Sequence, residues 1–388
     1  MKNNVYYLAM SPINGICNDN FFKGSITIYP TNEKGNLFFK TDFIFNRDEK
    51  FYEDYKKFLE YQIFSILKND KNAHFIFFND KKKIRDLCSD LKNVRFVYGN
   101  NDELLSFLNN KPLVRKWISD IVPVVDNFPV NTKSTFEDVC NQVSDNKFVV
   151  QASHGAGGEN TILIESENQY LSFLGSPQKL FISKYIKHTP VNITFIIGDF
   201  NTISFPISIQ LISIDNGKFK YCGGDFSAAC SLSINTQNKI INLSKKIAHK
   251  IKTLGYRGII GFDYLVTEDD DVIFCELNPR FQSSSFLLSL MLRDEKRADI
   301  AKLHYDAISG NRLEDKELFN TNFSFVNCNN EKTYADLGEC HTILNGYFPK
   351  NPKSVYRKVF NHSIFGNNQF IGISKHKKLI IEKILNNK

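Results

Sequence analysis

The chain has 388 residues, room for two or three domains, and its 42% hydrophobic and 13% aromatic content supplies the packed cores of a globular, enzyme-sized protein. Its net charge of +7, from 49 basic against 42 acidic residues, is dispersed and forms no tail, and no nucleic-acid-binding motif accompanies it. Apolar runs fall short of the roughly 18 residues of a membrane span, and the eight cysteines form no Cys-x-x-Cys pair and no metal-spaced cluster with histidine, which argues against a membrane partner and for buried thiols in a reducing, cytoplasmic setting.

At the N-terminus, Met1 to Met10 soon meets Pro12, Asn14 and Gly15, an apolar run too short for a signal-peptide core. Short apolar runs at Val5 to Met10, Leu37 to Phe45, His74 to Phe78 and Val94 to Tyr98, with helical periodicity over Phe51 to Leu67, predict a small α/β domain over residues 1–108. From Asn109 follow a helix containing Lys111 and Trp117, the stretch Ile121 to Val125, a second helix near 134–143 and a strand at Phe148 to Ala152. Strands are expected over 161–165, 180–186, 191–197 and 201–212, the last two joined antiparallel across the turn pair Gly198-Asp199. Ile240, Leu243, Ile247, Ile251 and Leu254 recur at helical spacing, with Gly255 placed for a left-handed cap, so an amphipathic helix spans 236–254. Strands over 257–266 and 272–277, joined by the acidic turn Glu268 to Asp271, and an apolar helix over 284–292 complete a central domain at 109–300. Residues 301–388 form a C-terminal extension with strand candidates at Phe323 to Val326 and Phe370 to Ile373.

Two segments carry chemistry. In Phe148-Val-Val-Gln-Ala-Ser-His-Gly-Ala-Gly-Gly-Glu-Asn-Thr-Ile-Leu163, a strand leads into a Gly-rich loop and then another strand. Gly155, Gly157 and Gly158 let backbone N–H groups turn toward one anion without side chains in the way, although a flexible hairpin loop has the same composition. It is neither a Walker loop, lacking Gly-Lys-Ser/Thr, nor a Rossmann loop, since a strand follows. The second segment is the strand pair Gly258-Ile-Ile-Gly-Phe-Asp263 and Phe274-Cys-Glu-Leu-Asn-Pro-Arg280. Period-two alternation puts Glu276 and Asn278 on one face, and Asp263 joins them if the hairpin register is right. Two carboxylates and an amide oxygen suit Mg2+ bridging nucleotide phosphates. Arg280 is placed to neutralise a transferred phosphoryl group, and the alternative is an ordinary pairing of Arg280 with Glu276.

In order and spacing, these motifs and an adenine-side strand between them resemble the ATP-grasp superfamily over residues 109–300. The resemblance implies an α+β, ATP-grasp fold, with two α+β subdomains sandwiching ATP and an N-terminal α/β domain in front. It also implies ATP and Mg2+ as cofactors and a substrate carboxylate activated as an acyl phosphate, then captured by an amine or another nucleophile. By position, Lys111 resembles the family's first phosphate-contacting lysine, and Lys184, Tyr185 and Ile186 resemble its adenine hinge. Asp263, Glu276 and Asn278 resemble the magnesium ligands, and Arg280 the arginine that steadies the reacting phosphate. Gln151 departs from the pattern, because that strand usually carries a lysine; Lys147 stands four residues earlier and would need a different path.

The phrases Gln151 to Gly158, Tyr185 to Asn192, Ser208 to Gln210 and Gly223 to Phe226 resemble a biosynthetic branch of peptide ligases and ligases that load carrier proteins. Asn192, Gln210 and Asp225 are candidates to face nucleotide or substrate, with satisfied surface polarity as the alternative. His154 either touches phosphate or stands in solvent. Arg257 either anchors a substrate carboxylate or caps the preceding turn, and the serines at 283–285 suit an N-cap. The expected function is an ATP-dependent carboxylate-amine ligase of specialised metabolism, acting on small molecules, with an oligomer compatible. Loading of a carrier-protein thiol, a kinase-like protein that stops at phosphoryl transfer, and an ATP-binding module with little turnover are the competing readings.

Overall fold

The computed structural model describes residues 4–9, 21–27, 36–38, 49–77, 95–96, 100–130, 133–155, 158, 160–174, 180–314, 323–328 and 370–375. Its N-terminal elements are β1 (Val5–Ala9), β2 (Gly24–Thr27), β3 (Asn36–Phe38), α1 (Glu49–Asn69), β4 (His74–Phe77) and β5 (Arg95–Phe96). The strands pair in parallel in the order β3-β2-β1-β4-β5. Parallel strands are fed by crossovers and buried on their faces, and Tyr7, Leu8, Ile26, Phe75 and Ile76 are accordingly buried together with Tyr55, Leu59 and Ile63 along one stripe of α1. The expected α/β character is present, and β2 is an addition to the expected strands. Among the described residues no helix is long and apolar enough to cross a membrane.

Two short helices follow, α2 (Asp102–Leu108) and α3 (Lys111–Ile118), with Asn101 and Asn110 as N-caps. Leu105 and Leu108 enter the core of the central sheet with Phe195, Ile260 and Phe262. That sheet contains β6 (Phe128–Pro129), β7 (Phe148–Ala152), β8 (Thr161–Ile164), β9 (Leu180–Lys184), β10 (Thr189–Ile197), β11 (Thr202–Asp215), β12 (Lys218–Asp225), β13 (Gly258–Val266) and β14 (Val272–Asn278). It has two halves. In one, β14-β13-β10-β11-β12 are antiparallel neighbours; in the other, β8-β7-β9-β6. The halves meet at a single register position, Lys218 opposite Ile162, and at a 2.7 Å bond from Leu163 N to Gly217 O.

Each half has its own helical cover. On the first, α6 (Ile234–Thr253) buries Ile240, Ile247 and Ile251, and its Ser244 hydroxyl bonds the Tyr264 hydroxyl at 2.7 Å. Burying three such side chains contributes about 1.5–3 kcal/mol each. Gly255, at φ +87°, turns the chain after it, as the sequence predicts. On the second half, α4 (Phe136–Val143), opened by a Thr135–Asp138 capping box, and α5 (Glu167–Leu174) cover Phe148, Val150 and Ile164 with Val139, Val143 and Tyr170. Two further helices, α7 (Ser285–Asp294) and α8 (Ile300–Ile308), follow β14. The C-terminal strand candidates form β15 (Phe323–Cys328) and β16 (Phe370–Lys375), and β15 pairs with the free side of the end of β12.

Candidate active site

The two halves of the central sheet enclose a cleft. Its inner compartment, about 140 Å³, is walled by Val125, Val149, Ile186, Pro190, Ile212, Phe219 and Leu265, with Lys111, Arg115, Gln151 and Glu276 at its polar side. An adjoining compartment is polar, lined by Asn192, Ser208, Gln210, Asp263, Asn278, Arg280, Gln282, Ser283 and Ser284. An apolar wall with a few convergent polar groups is the lining that small-molecule sites use.

The hairpin register decides the acidic centre. Asp263 lies directly opposite Glu276, and the ladder then shifts so that Tyr264 opposes Phe274, leaving Cys275 as the extra residue of a bulge. Asp263 Oδ1 accepts from Asn192 Nδ2 at 2.6 Å and Gln210 Nε2 at 3.1 Å, while Oδ2 accepts from Asn278 Nδ2 at 2.9 Å. Burial first, and the neighbouring Glu276 charge second, push the Asp263 carboxyl up to about 7 against the pull of those amides. Burial acts the same way on Glu276, but Lys111, whose Nζ lies 2.8 Å from its Oε2, together with Arg115 and Arg280 holds it below the usual carboxylate range. Arg280 Nη2 donates to Asn278 Oδ1 at 2.9 Å. Each expected metal ligand is therefore engaged by an N–H group of the protein itself.

The donors nevertheless fit Mg2+. They are hard oxygens on one strand pair, and the buried Asn192 Oδ1 beside them has no hydrogen-bond partner. No group of three or more His, Cys, Asp or Glu side chains gathers among the described residues, so the set resembles a shared phosphate-metal site more than a closed protein cage.

The other expected residues divide. Lys184, Tyr185 and Ile186 line the inner compartment, where His188 Nδ1 bonds Ile186 O at 2.5 Å. Gln151 and Gly158 line it too; Gly158 has φ +87°, and a Cβ there would lie 2.3 Å from Phe219 O, so glycine is needed to seat the loop on β12. Gly157 lies outside the described residues. His154 and Gly155 are exposed and line neither compartment. Asp225 is fully buried and lines neither compartment, and its Oδ1 caps the turn by accepting from Ala228 N at 2.9 Å. Arg257 has the contacts of the capping alternative: it pairs with Asp199 and bonds Lys252 O at 3.2 Å and Tyr256 O at 2.7 Å, at the end of α6 and the far end of β13. Lys147 pairs outside with Glu165 at 2.5 Å.

One residue escaped the sequence reading. Arg115 stands one turn after Lys111 on α3, so helical spacing already puts both on one face. In the fold its guanidinium lines the inner compartment and bonds Gln151, with Nη2 3.1 Å from Oε1.

A family model for an ATP-grasp domain matches residues 108–284. The chain carries an ATP-grasp domain. No curated protein sequence matches it. Among solved structures, it is similar to N5-carboxyaminoimidazole ribonucleotide synthetase (purK) in an ADP complex, at 14% identity and a TM-score of 0.62 over 98% of this chain and 95% of that one. Biotin carboxylase from Campylobacter jejuni gives 16% identity and a TM-score of 0.61, covering 84% of this chain and 75% of that one. The biotin carboxylase domain of the Hydrogenobacter thermophilus 2-oxoglutarate carboxylase, solved with MgADP and bicarbonate, gives 15% and 0.60 over 84% and 74%. At these identities the likeness is one of fold.

Proposed function

We propose that the protein is an ATP-dependent ligase that activates a carboxylate as an acyl phosphate and passes the acyl group to an amine, releasing ADP and phosphate. The observation that carries this reading is the convergence of Lys111, Asp263, Glu276, Asn278 and Arg280 at the seam between an apolar and a polar compartment. The apolar compartment suits an adenine ring beside Tyr185 and Ile186, and the polar one suits a carboxylate substrate. ATP supplies the phosphoryl group, and Mg2+, held by Asp263, Glu276 and Asn278, supplies charge at the phosphate oxygens.

The chain's own residues do the rest. Lys111 and Arg280 bring fixed positive charge to the seam, where low dielectric makes it most effective. Gln210 and Asn192 orient Asp263 through the two bonds to its Oδ1. The purK and biotin carboxylase likenesses support a ligase-type use of the fold, and the Hydrogenobacter thermophilus domain was solved with bicarbonate, so bicarbonate belongs among the acids to be tried.

Mg-ATP is offered with amino acids, peptides and bicarbonate as carboxylates, and with amines or a carrier-protein thiol as acceptors. Release of ADP and phosphate that depends on both substrates is the expected result. Release of AMP and pyrophosphate overturns the acyl-phosphate route, and nucleotide binding without any stimulated turnover favours the binding-module reading.

A further inference from the structure

Arg115 is 1% exposed, yet among the described residues no carboxylate bonds its guanidinium. Nε donates to Cys275 O at 2.8 Å, Nη1 to Ser183 Oγ at 3.3 Å, and Nη2 to Gln151 Oε1 at 3.1 Å and Cys275 Sγ at 3.6 Å. The Phe181 ring centre lies 5.1 Å from the guanidinium carbon. Every one of these partners is neutral. A desolvated cation hydrogen-bonded only to neutral acceptors is costly to bury, and a further anion brought into the site offsets that cost. Glu276, the nearest carboxylate to feel it, is already bonded by Lys111. The seam thus gathers the cations Lys111, Arg115 and Arg280 against the carboxylates Asp263 and Glu276, an excess of positive charge.

Gln151 lines the cleft beside Arg115. Its Oε1 faces the guanidinium, which fixes the amide with Nε2 on the other side; one N–H reaches Thr161 Oγ1 at 3.3 Å and the second is uncommitted among the described residues. A cation on the oxygen polarises the amide and strengthens its N–H groups as donors. We propose that Arg115 is a positioning residue for the nucleotide's phosphates, acting through Gln151, whose amide it orients and polarises by bonding its oxygen. The proposal rests on the nucleotide reading above. A purely structural role, tying α3 to β7, β9 and β14, uses the same hydrogen bonds but is indifferent to charge.

The experiment therefore moves the charge and keeps the shape. Titration calorimetry on the full chain compares Mg-bound non-hydrolysable ATP analogue, MgADP and adenosine, alongside a thermal melt. In Gln151→Glu the new carboxylate pairs with Arg115, so the melting temperature holds or rises while affinity for the ATP analogue falls by about tenfold or more and adenosine is unaffected. Arg115→Met weakens the analogue as well, and the double variant R115M/Q151K, with the charge transposed from helix to strand, recovers most of it. The proposal is overturned if Gln151→Glu binds the analogue as the wild type does, or if the folded double variant shows no recovery; Gln151→Glu decides alone should the double variant not fold. A wild-type chain that binds neither adenosine nor its phosphates overturns the nucleotide reading itself, and the proposal with it.

Discussion

At the residue scale, the charged seam makes separable predictions. Glu276→Gln keeps the shape of the side chain and an acceptor for Lys111, so the fold survives at a cost of about 1–3 kcal/mol while Mg-dependent ADP release falls by at least about 100-fold. Steady-state ADP release beside a thermal melt checks this, and an unchanged magnesium dependence removes Glu276 from the metal site. Arg280→Lys leaves a point charge where a planar fork now bonds Asn278 Oδ1; kcat falls by about 100-fold while KM for ATP changes little. A rise in KM alone would instead make Arg280 a ground-state binder. What was legible here followed sequence distance. Asp263, Glu276, Asn278 and Arg280 sit on one hairpin, where alternation and an assumed register are enough to bring them together. Arg115 reaches Gln151, Ser183 and Cys275 across 36, 68 and 160 residues, which no local pattern encodes. Asp225 and Arg257 show why the alternatives stood open in the sequence: polar side chains at the ends of elements are commonly consumed by their own turns.

At the element scale, long periodic segments were readable and short mixed ones were not. The helix over Ile234–Thr253 and the hairpin strands Gly258–Val266 and Val272–Asn278 announce themselves by spacing that burial requires. The strand Lys218–Asp225 did not, since Lys-Phe-Lys-Tyr-Cys-Gly-Gly-Asp owes its place to neighbours on both sides, and Ile300–Ile308 is too short for its periodicity to stand out. Ile247, 0% exposed in the core of the central sheet, is the plain test of the helix: Ile247→Ala costs about 2–5 kcal/mol, read as a shift of the urea midpoint at constant slope. Gly217 tests the joint between the half-sheets. It follows Asn216, both at positive φ (+77° and +47°), and a Cβ on it would lie 2.4 Å from Leu163 O. Gly217→Ala is expected to lower stability by about 1–3 kcal/mol, and a variant with wild-type urea stability would show that the turn relaxes freely.

At the scale of the whole molecule, adjacent residues of α8 face different units. Tyr305 OH bonds His74 Nδ1 at 2.6 Å on the N-terminal sheet, while His304 Nδ1 accepts from Ile259 N at 3.0 Å on the ATP-grasp domain, under Phe281. Burial pushes the His304 imidazole down to about 3, and the Ile259 N–H requires Nδ1 to stay unprotonated. In the unfolded chain the same ring titrates near 6.5, so below that pH the unfolded state takes up a proton the folded state refuses. The stabilisation is full above about pH 6.5 and is lost progressively as pH falls toward about 3, with a slope of up to about 1.4 kcal/mol per unit. Urea midpoints across this range should show a steeper decline for the wild type than for His304→Gln; parallel curves would mean that the histidine charges without opening the fold. The narrow joint of the central sheet has a consequence of its own. The Leu163 amide hydrogen crosses from one half to the other, to Gly217 O, and it is shielded from solvent only while the two halves stay together. Its rate of deuterium uptake is therefore a clock for the breathing of the cleft, and whatever ligand clamps the halves shut will slow that one amide more than the strands on either side of it.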